Sequence, residues 1–483
     1  MASRTTLNAD NLEALGAKRL AELLIEISTG DATAKRRLRL ELAHEASPQS
    51  AAHEIRKRLT AIANAKSRVG WRKRKDLVKD LEGQRHAIVD TLGPSDPAEA
   101  LDLLWRYLAL ANGIFERTDD GSGTVMAEFG KAIDDLVALA VRVSPPPETL
   151  AGQVFTALTE NDHGQFDDLI EKLAPVLGSK GLAALKAKVL DWANEPVDRK
   201  PDAQRRIVAY SLNGPMYEDE FEAFSKRHRS DTALRAIADA EGDVDDFVAR
   251  HSELERTVPS VAAEIADRLL QAGRSEDALE ALSGVLESPE EIVTDFIEPE
   301  WEAAYIAALQ AAGRPADAQA FRWLCFEKRL DVQMLKDYIA RLPEFEDVET
   351  EAKVLASVGD REDPHDALGF FIEWPDLKRS ADLVLDPERA WNGDLYHLLT
   401  PASERLSPSH PLAATRLLRA MIDFTLDEGR SSRYKHAARH LGECERLAAE
   451  IADFGFMEDH AAFVERLRQV HGRKRGFWNR VDD

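Results

Sequence analysis

Cysteine is nearly missing from this chain: 483 residues carry two, Cys325 and Cys444. That excludes a disulfide framework and a four-cysteine zinc site. Glycine (26) and proline (21) are also sparse. A collagen-like or low-complexity chain is therefore excluded. No run approaches 18 apolar residues, so no transmembrane helix is expected. Met1 to Asp10 lacks the charged-then-apolar order of a secretory signal. A cytoplasmic, non-membrane protein is the expectation. Alternating β-branched runs of strand length are nearly absent. Neither GxGxxG nor GxxxxGK[ST] occurs, so no phosphate-loop chemistry and no nucleotide cofactor are expected. The glycine-rich patch Asp119 to Thr124 reads as a turn, with Ser122 or Thr124 capping the next helix. Its acids lack the EF-hand spacing for calcium.

What is present is helix. Apolar residues make up 44% of the chain, the ordinary globular share. A chain of this length buries ample surface for a core. Leu12, Leu15, Leu20, Leu23, Leu24 and Ile27 recur mostly at spacings of three and four and their sums, with an interruption at Gly16. Asp31 can cap a helix carrying Leu38, Leu40 and Leu42. Pro48 suits the first turn of a helix through Ile55, Leu59 and Ile62. Similar segments span 77–92, 97–115 and 125–143. Pro145-Pro146-Pro147 cannot continue a helix, so the expected domain boundary lies there. Residues 1–144 form the first domain on this reading, and 148–483 the second.

The second domain contains an internal repeat. Leu270-Gln271-Ala272-Gly273-Arg274-Ser275-Glu276-Asp277-Ala278 returns 40 residues later as Gln310-Ala311-Ala312-Gly313-Arg314-Pro315-Ala316-Asp317-Ala318. The shared Ala, Gly, Arg, Asp and Ala keep identical offsets, a period found in helical solenoids. Glycine would end the first helix in a left-handed conformation. Aspartate would sit in the first turn of the second, where the dipole favours it. Weaker echoes surround Gly242 and Gly429.

Charge is segregated. The formal net charge is −24, yet residues 1–86 and the last 18 residues are basic, so the acid is concentrated between them. The N-terminal patch comprises Lys35, Arg39, Arg56, Lys57, Arg58, Trp71, Arg72, Lys73, Arg74 and Lys75. Such cations release counterions from phosphate, and an exposed tryptophan can stack on a base. The competing reading is a helix face docked on acidic surface, with Trp71 in the core. The repulsive field of the whole chain favours the second. Basic ends and an acidic middle also allow self-association.

Other chemistry is thin. His436 and His440 are four apart on one helical face, with Glu443 nearby, but HExxH is absent and no metal site is expected. Each cysteine sits beside apolar residues, the setting of an inert thiol. The acidic clusters at 218–220, 243–246 and 344–347 fall near helix starts, where carboxylates serve the dipole. Trp301, Tyr305, Phe321, Trp323 and Phe326 fall on the repeat pair. They read as core, or as anchors of a partner-binding groove, with Trp301, Tyr305 and Trp323 the candidate anchors.

Several stretches carry a family resemblance: Leu412 to Thr415, Gly429-Arg430-Ser431-Ser432-Arg433-Tyr434, His436 to Leu441, and His471-Gly472-Arg473-Lys474-Arg475-Gly476-Phe477-Trp478. They resemble the helical region behind the zinc finger of bacterial SWIM zinc-finger proteins. With Leu38-Arg39-Leu40, Ile55 to Leu59 and Trp71-Arg72-Lys73, the whole chain resembles a bacterial all-helical family of unknown function that lacks the finger. The resemblance implies a fold and no activity. Cys325 and Cys444 stand too far apart to supply the finger's ligands.

The expected fold is all-α: an N-terminal helical domain followed by a tetratricopeptide-like α-solenoid. The expected function is a non-enzymatic cytoplasmic scaffold or adaptor that binds a protein partner in the repeat groove. The rivals are a nucleic-acid-associated protein using the basic N-terminal helices, and an enzyme of unrecognised class.

Overall fold

The computed structural model describes residues 6–199, 201, 205–211, 214–285 and 298–481. Among these the regular structure is α-helix almost throughout. One antiparallel hairpin departs from it, pairing Ile207–Ser211 with Gly214–Tyr217. No helix among the described residues is long and apolar enough to cross a membrane.

The chain divides into two compact units, Met1–Glu253 and Leu254–Asp483. The boundary expected at Pro145-Pro146-Pro147 therefore lies inside the first unit. The prolines make a turn rather than a linker. Pro147 is the first residue of helix Pro147–Thr159, where its missing N–H costs nothing. Leu136, Leu139 and Ala140 before the turn share one core with Leu150, Ala151 and Val154 after it.

In the first unit, helix Pro48–Ala63 begins at Ser47, whose side chain accepts from the Ser50 N–H. Ala51, Ala52, Ile55, Leu59 and Ile62 form its buried face, the three-and-four spacing of a core helix. Helix Trp71–His86 runs on into a π-helical turn, Ala87–Leu92. The segment expected as one helix over 97–115 is two, Pro97–Leu108 and Ala111–Phe115. Helix Thr124–Val143 is capped neither by Ser122 nor by Thr124. Asp120 instead accepts from the Val125 and Met126 N–H groups at 3.0 and 2.9 Å.

In the second unit each helix packs mainly on the next one or two along the chain, as in a repeat protein. The repeat has the turn the sequence requires. Gly273 and Gly313 have φ of +74° and +72°, a region open to glycine at no steric cost. The next N–H reaches back to close each turn, Arg274 to the Leu269 carbonyl (2.8 Å) and Arg314 to that of Leu309 (2.9 Å). Arg274 then pairs with Asp277 and Arg314 with Asp317, at 2.6 and 2.7 Å. Ala278 and Ala318 are fully buried, which lets paired helices close up. The echoes close the same way, Asp243 onto Ala238 in the first unit and Arg430 onto Thr425 in the second. Phe477 ends the unit, fully buried with its edge against Tyr434.

Candidate functional site

Near its start, after a short helix Ala9–Glu13, the first unit carries an amphipathic helix that is scarcely covered. Helix Ala17–Ser28 buries only Ser28. Leu24, Ile25 and Ile27 are 48%, 67% and 71% exposed, and Leu12 and Leu15 before it are also open. Leu20 and Leu23 are half-buried. The leucine spacing that identified this helix is thus only partly spent on the core.

The basic patch follows and is divided by its ion pairs. Arg56 pairs with Glu99 and Arg58 with Asp80. Lys57 stands 4.0 Å from Glu54. Arg74 donates to the Asp119 carbonyl at 2.9 Å. Lys35, Arg39, Arg72, Lys73 and Lys75 are exposed. Helices Ala32–Ala46, Pro48–Ala63 and Trp71–His86 border a cleft of about 760 Å³, with Lys35, Arg39, Lys57 and Arg58 in its wall. Trp71 and Arg72 to Lys75 lie outside that wall. Trp71 is 67% exposed, so it does not anchor the core. Arg72 lies 5.0 Å over its ring.

The aromatic set of the second unit behaves differently. Trp301 is 2% exposed, stacks on Tyr305 at 4.9 Å and meets the edge of Phe321. Trp301 as a groove anchor is therefore corrected: its ring is core. Tyr305 and Trp323 are half-buried. Trp323 packs on Phe326 and Tyr338 at 5.4 and 5.2 Å. Glu302 beside Trp301 is buried and takes a two-pronged bond from Arg329, at 2.8 and 3.1 Å.

A second cleft, of about 630 Å³, lies within the second unit. Helix Pro411–Asp427 supplies Arg416, Arg419 and Asp423 to its wall, and the loop before helix His460–His471 supplies Phe456 and Glu458. Gly393 completes the wall against the Ala420 carbonyl, so closely that a Cβ there would collide with the backbone. Nothing in the sequence had singled these residues out. An arginine pair three apart is common on helix surfaces, and only the fold turns this one inward.

Cys325 and Cys444 are fully buried, and burial pushes both thiols up to about 12. Neither ionises near neutrality, as a nucleophile must. Asp219 and Glu220 bind Arg205. His436 is exposed while His440 is buried, so the two do not converge on one ion. Among the described residues no group of three or more metal-ligating side chains comes together.

His440 carries a pH prediction. Burial, with Arg439 and His436 nearby, lowers it to about 4. The unfolded chain then takes up a proton more readily than the folded one below about pH 6.5. Stability is full above that pH and is lost as pH falls towards 4, by about 3 kcal/mol. His440→Gln is expected to flatten this part of the acid limb in denaturant titrations between pH 7 and 4. An identical pH slope in the variant would contradict it.

Among solved structures the chain is similar to a circular tandem repeat protein with novel repeat topology and enhanced subunit contact surfaces. The two chains are 14% identical, each is 98% covered, and the TM-score is 0.14. No curated protein matches the chain. A family model matches residues 2–480, almost the whole length, and the chain belongs to that family of unknown function, DUF6880.

Proposed function

We propose that this chain is a non-catalytic cytoplasmic scaffold, tetratricopeptide-like in its second unit, that binds a protein partner through the N-terminal helices of its first. The observation that carries the reading is the apolar face of helix Ala17–Ser28, open to solvent next to the cationic helix Ala32–Ala46. Burying a leucine or isoleucine fully from water is worth about 1.5–3 kcal/mol. A partner that covers Leu24 and Ile27 gains the share of that energy their exposed surface still represents. The matching partner is an acidic amphipathic helix, whose carboxylates would meet Lys35, Arg37 and Arg39, all exposed.

A second reading has an observation of its own. Trp71 stands exposed at the positive end of helix Trp71–His86, with three cations in the first turn and no acid there. Cations at that end oppose the helix dipole, and a nucleic-acid backbone would relieve them. The net charge of −24 works against polyanions, which ranks this reading second.

Recovery of tagged full-length chain from its native cell, with and without nuclease, separates the two. A stoichiometric acidic protein is expected with the wild type, reduced at least tenfold by Leu24→Asp with Ile27→Asp. Equal recovery with that variant would sink the docking surface. Salt-labile nucleic acid that depends on Arg72, Lys73 and Lys75 would promote the second reading. A homodimer lost in the same variant would assign the apolar face to a second copy.

A further inference from the structure

Arg419 is 6% exposed. Its Nη1 donates to the Glu458 carbonyl at 2.6 Å. Its Nε and Nη2 have no oxygen or nitrogen partner among the described residues, and the buried Cys444 thiol lies against the guanidinium. Those two N–H groups form the side of the guanidinium that grips an oxyanion with two parallel bonds. Buried polar groups are rarely left unbonded, and a buried charge rarely lacks an opposite one.

The acids of the cleft are already engaged. Asp423 receives two bonds from Arg466, at 3.2 and 3.0 Å. Glu458 receives the Arg466 Nε at 2.6 Å. Asp427 faces His471 at 3.1 Å. Arg416, one turn before Arg419, donates to the carbonyls of Val384, Asp386 and Arg389. Neither Arg416 nor Arg419 has a carboxylate within ion-pair distance among the described residues. Cys444 near Arg419 is held neutral by burial, so it supplies no counter-charge. Burial lowers both arginines, as an uncompensated charge requires.

We propose that this cleft binds a small organic oxyanion, with Arg419 and Arg416 as its counter-charge and the aromatic wall holding its apolar body. Phe454 and Phe463 cover Arg419, at 5.5 and 4.4 Å, and Phe456 covers Arg416 at 4.9 Å. Phe456 is 54% exposed, and the ligand exchanges with this aromatic cover to reach the guanidiniums. The volume suits a small molecule. Carboxylate and phosphate share the recognition chemistry, and the probes separate them.

Calorimetric titration of the full chain with benzoate, phenyl phosphate and inorganic phosphate tests the site. One equivalent of a phenyl-bearing anion is expected to bind, and the better of the two probes identifies the head group. Arg419→Met is expected to lose at least tenfold in affinity while its melting temperature holds or rises, because a buried unpaired charge has gone. Arg416→Gln, which leaves the deeper side chain in place, is expected to weaken binding in the same sense. Absence of binding by all three probes at millimolar concentration would overturn the proposal. So would equal binding by wild type and both variants, or a melting temperature in Arg419→Met lowered by several degrees with binding retained.

Discussion

Replacing Arg85 by alanine is expected to destabilise the first unit by about 3–5 kcal/mol, the usual loss when one partner of a buried ion pair is removed. Arg85 lies under the surface and bonds Glu128 at 2.7 Å and Asp135 at 2.6 Å. The Glu128 side chain is 1% exposed, with Lys131 at 3.2 Å as its other cation. Without Arg85, that carboxylate keeps its desolvation cost and loses its closest partner. The melting transition should fall by roughly 10 °C in a unit of this size. Changing Arg85 and Glu128 together to methionine should recover most of the loss, because the charges left behind, Asp135 and Lys131, both reach solvent and none is stranded in the core. Calorimetry of the three proteins checks this. A double variant as unstable as Arg85→Ala would mean that shape, not charge, is what the pair supplies.

The second large effect is expected from Trp301→Ala. Removing a fully packed tryptophan costs about 3–5 kcal/mol through lost burial and the cavity left behind. Tyr305 loses its stacking partner and Phe321 its edge contact. Trp71→Ala is the control. Its ring is 67% exposed, and surface substitutions of this kind stay within about 0.5 kcal/mol. Denaturant titration of the two variants should therefore separate them by several kcal/mol. Similar midpoints would mean that Trp301 is not the core residue described above.

Those two tryptophans show where sequence reading stops. Each stands among helical residues, one in a basic run and one in an apolar stretch. Each carries both a core and an exposed reading in sequence, and the structure takes the exposed one for Trp71 and the core one for Trp301. Burial depends on which neighbour folds back over a side chain, and spacing carries no record of that. The solenoid turn was legible because its causes are local: a glycine with positive φ, an arginine reaching an aspartate three residues on, and an alanine at the helix contact. At Gly242 and Gly429 the positive φ and the backbone closure recur without the arginine–aspartate pair or the alanine. The triple proline misled, because a proline at the first position of a helix looks like a break and behaves as a start. The hairpin at 207–217 had a signal that went unused. Ile207-Val208-Ala209-Tyr210 is strand-like, and Asn213-Gly214 is a turn dipeptide. The cleft around Arg416 and Arg419 had none, since its lining comes from segments scattered over residues 389–466.

The apolar face of helix Ala17–Ser28 is the point on which the functional reading turns. A photo-crosslinking amino acid placed at Ile27 addresses it directly. The same group at Val141, 59% exposed in the same unit, serves as the comparison. Irradiation in the native cell is expected to give one discrete adduct with an acidic protein from position 27 and none from position 141. No adduct from position 27, or the same adducts from both positions, would contradict a docking surface there.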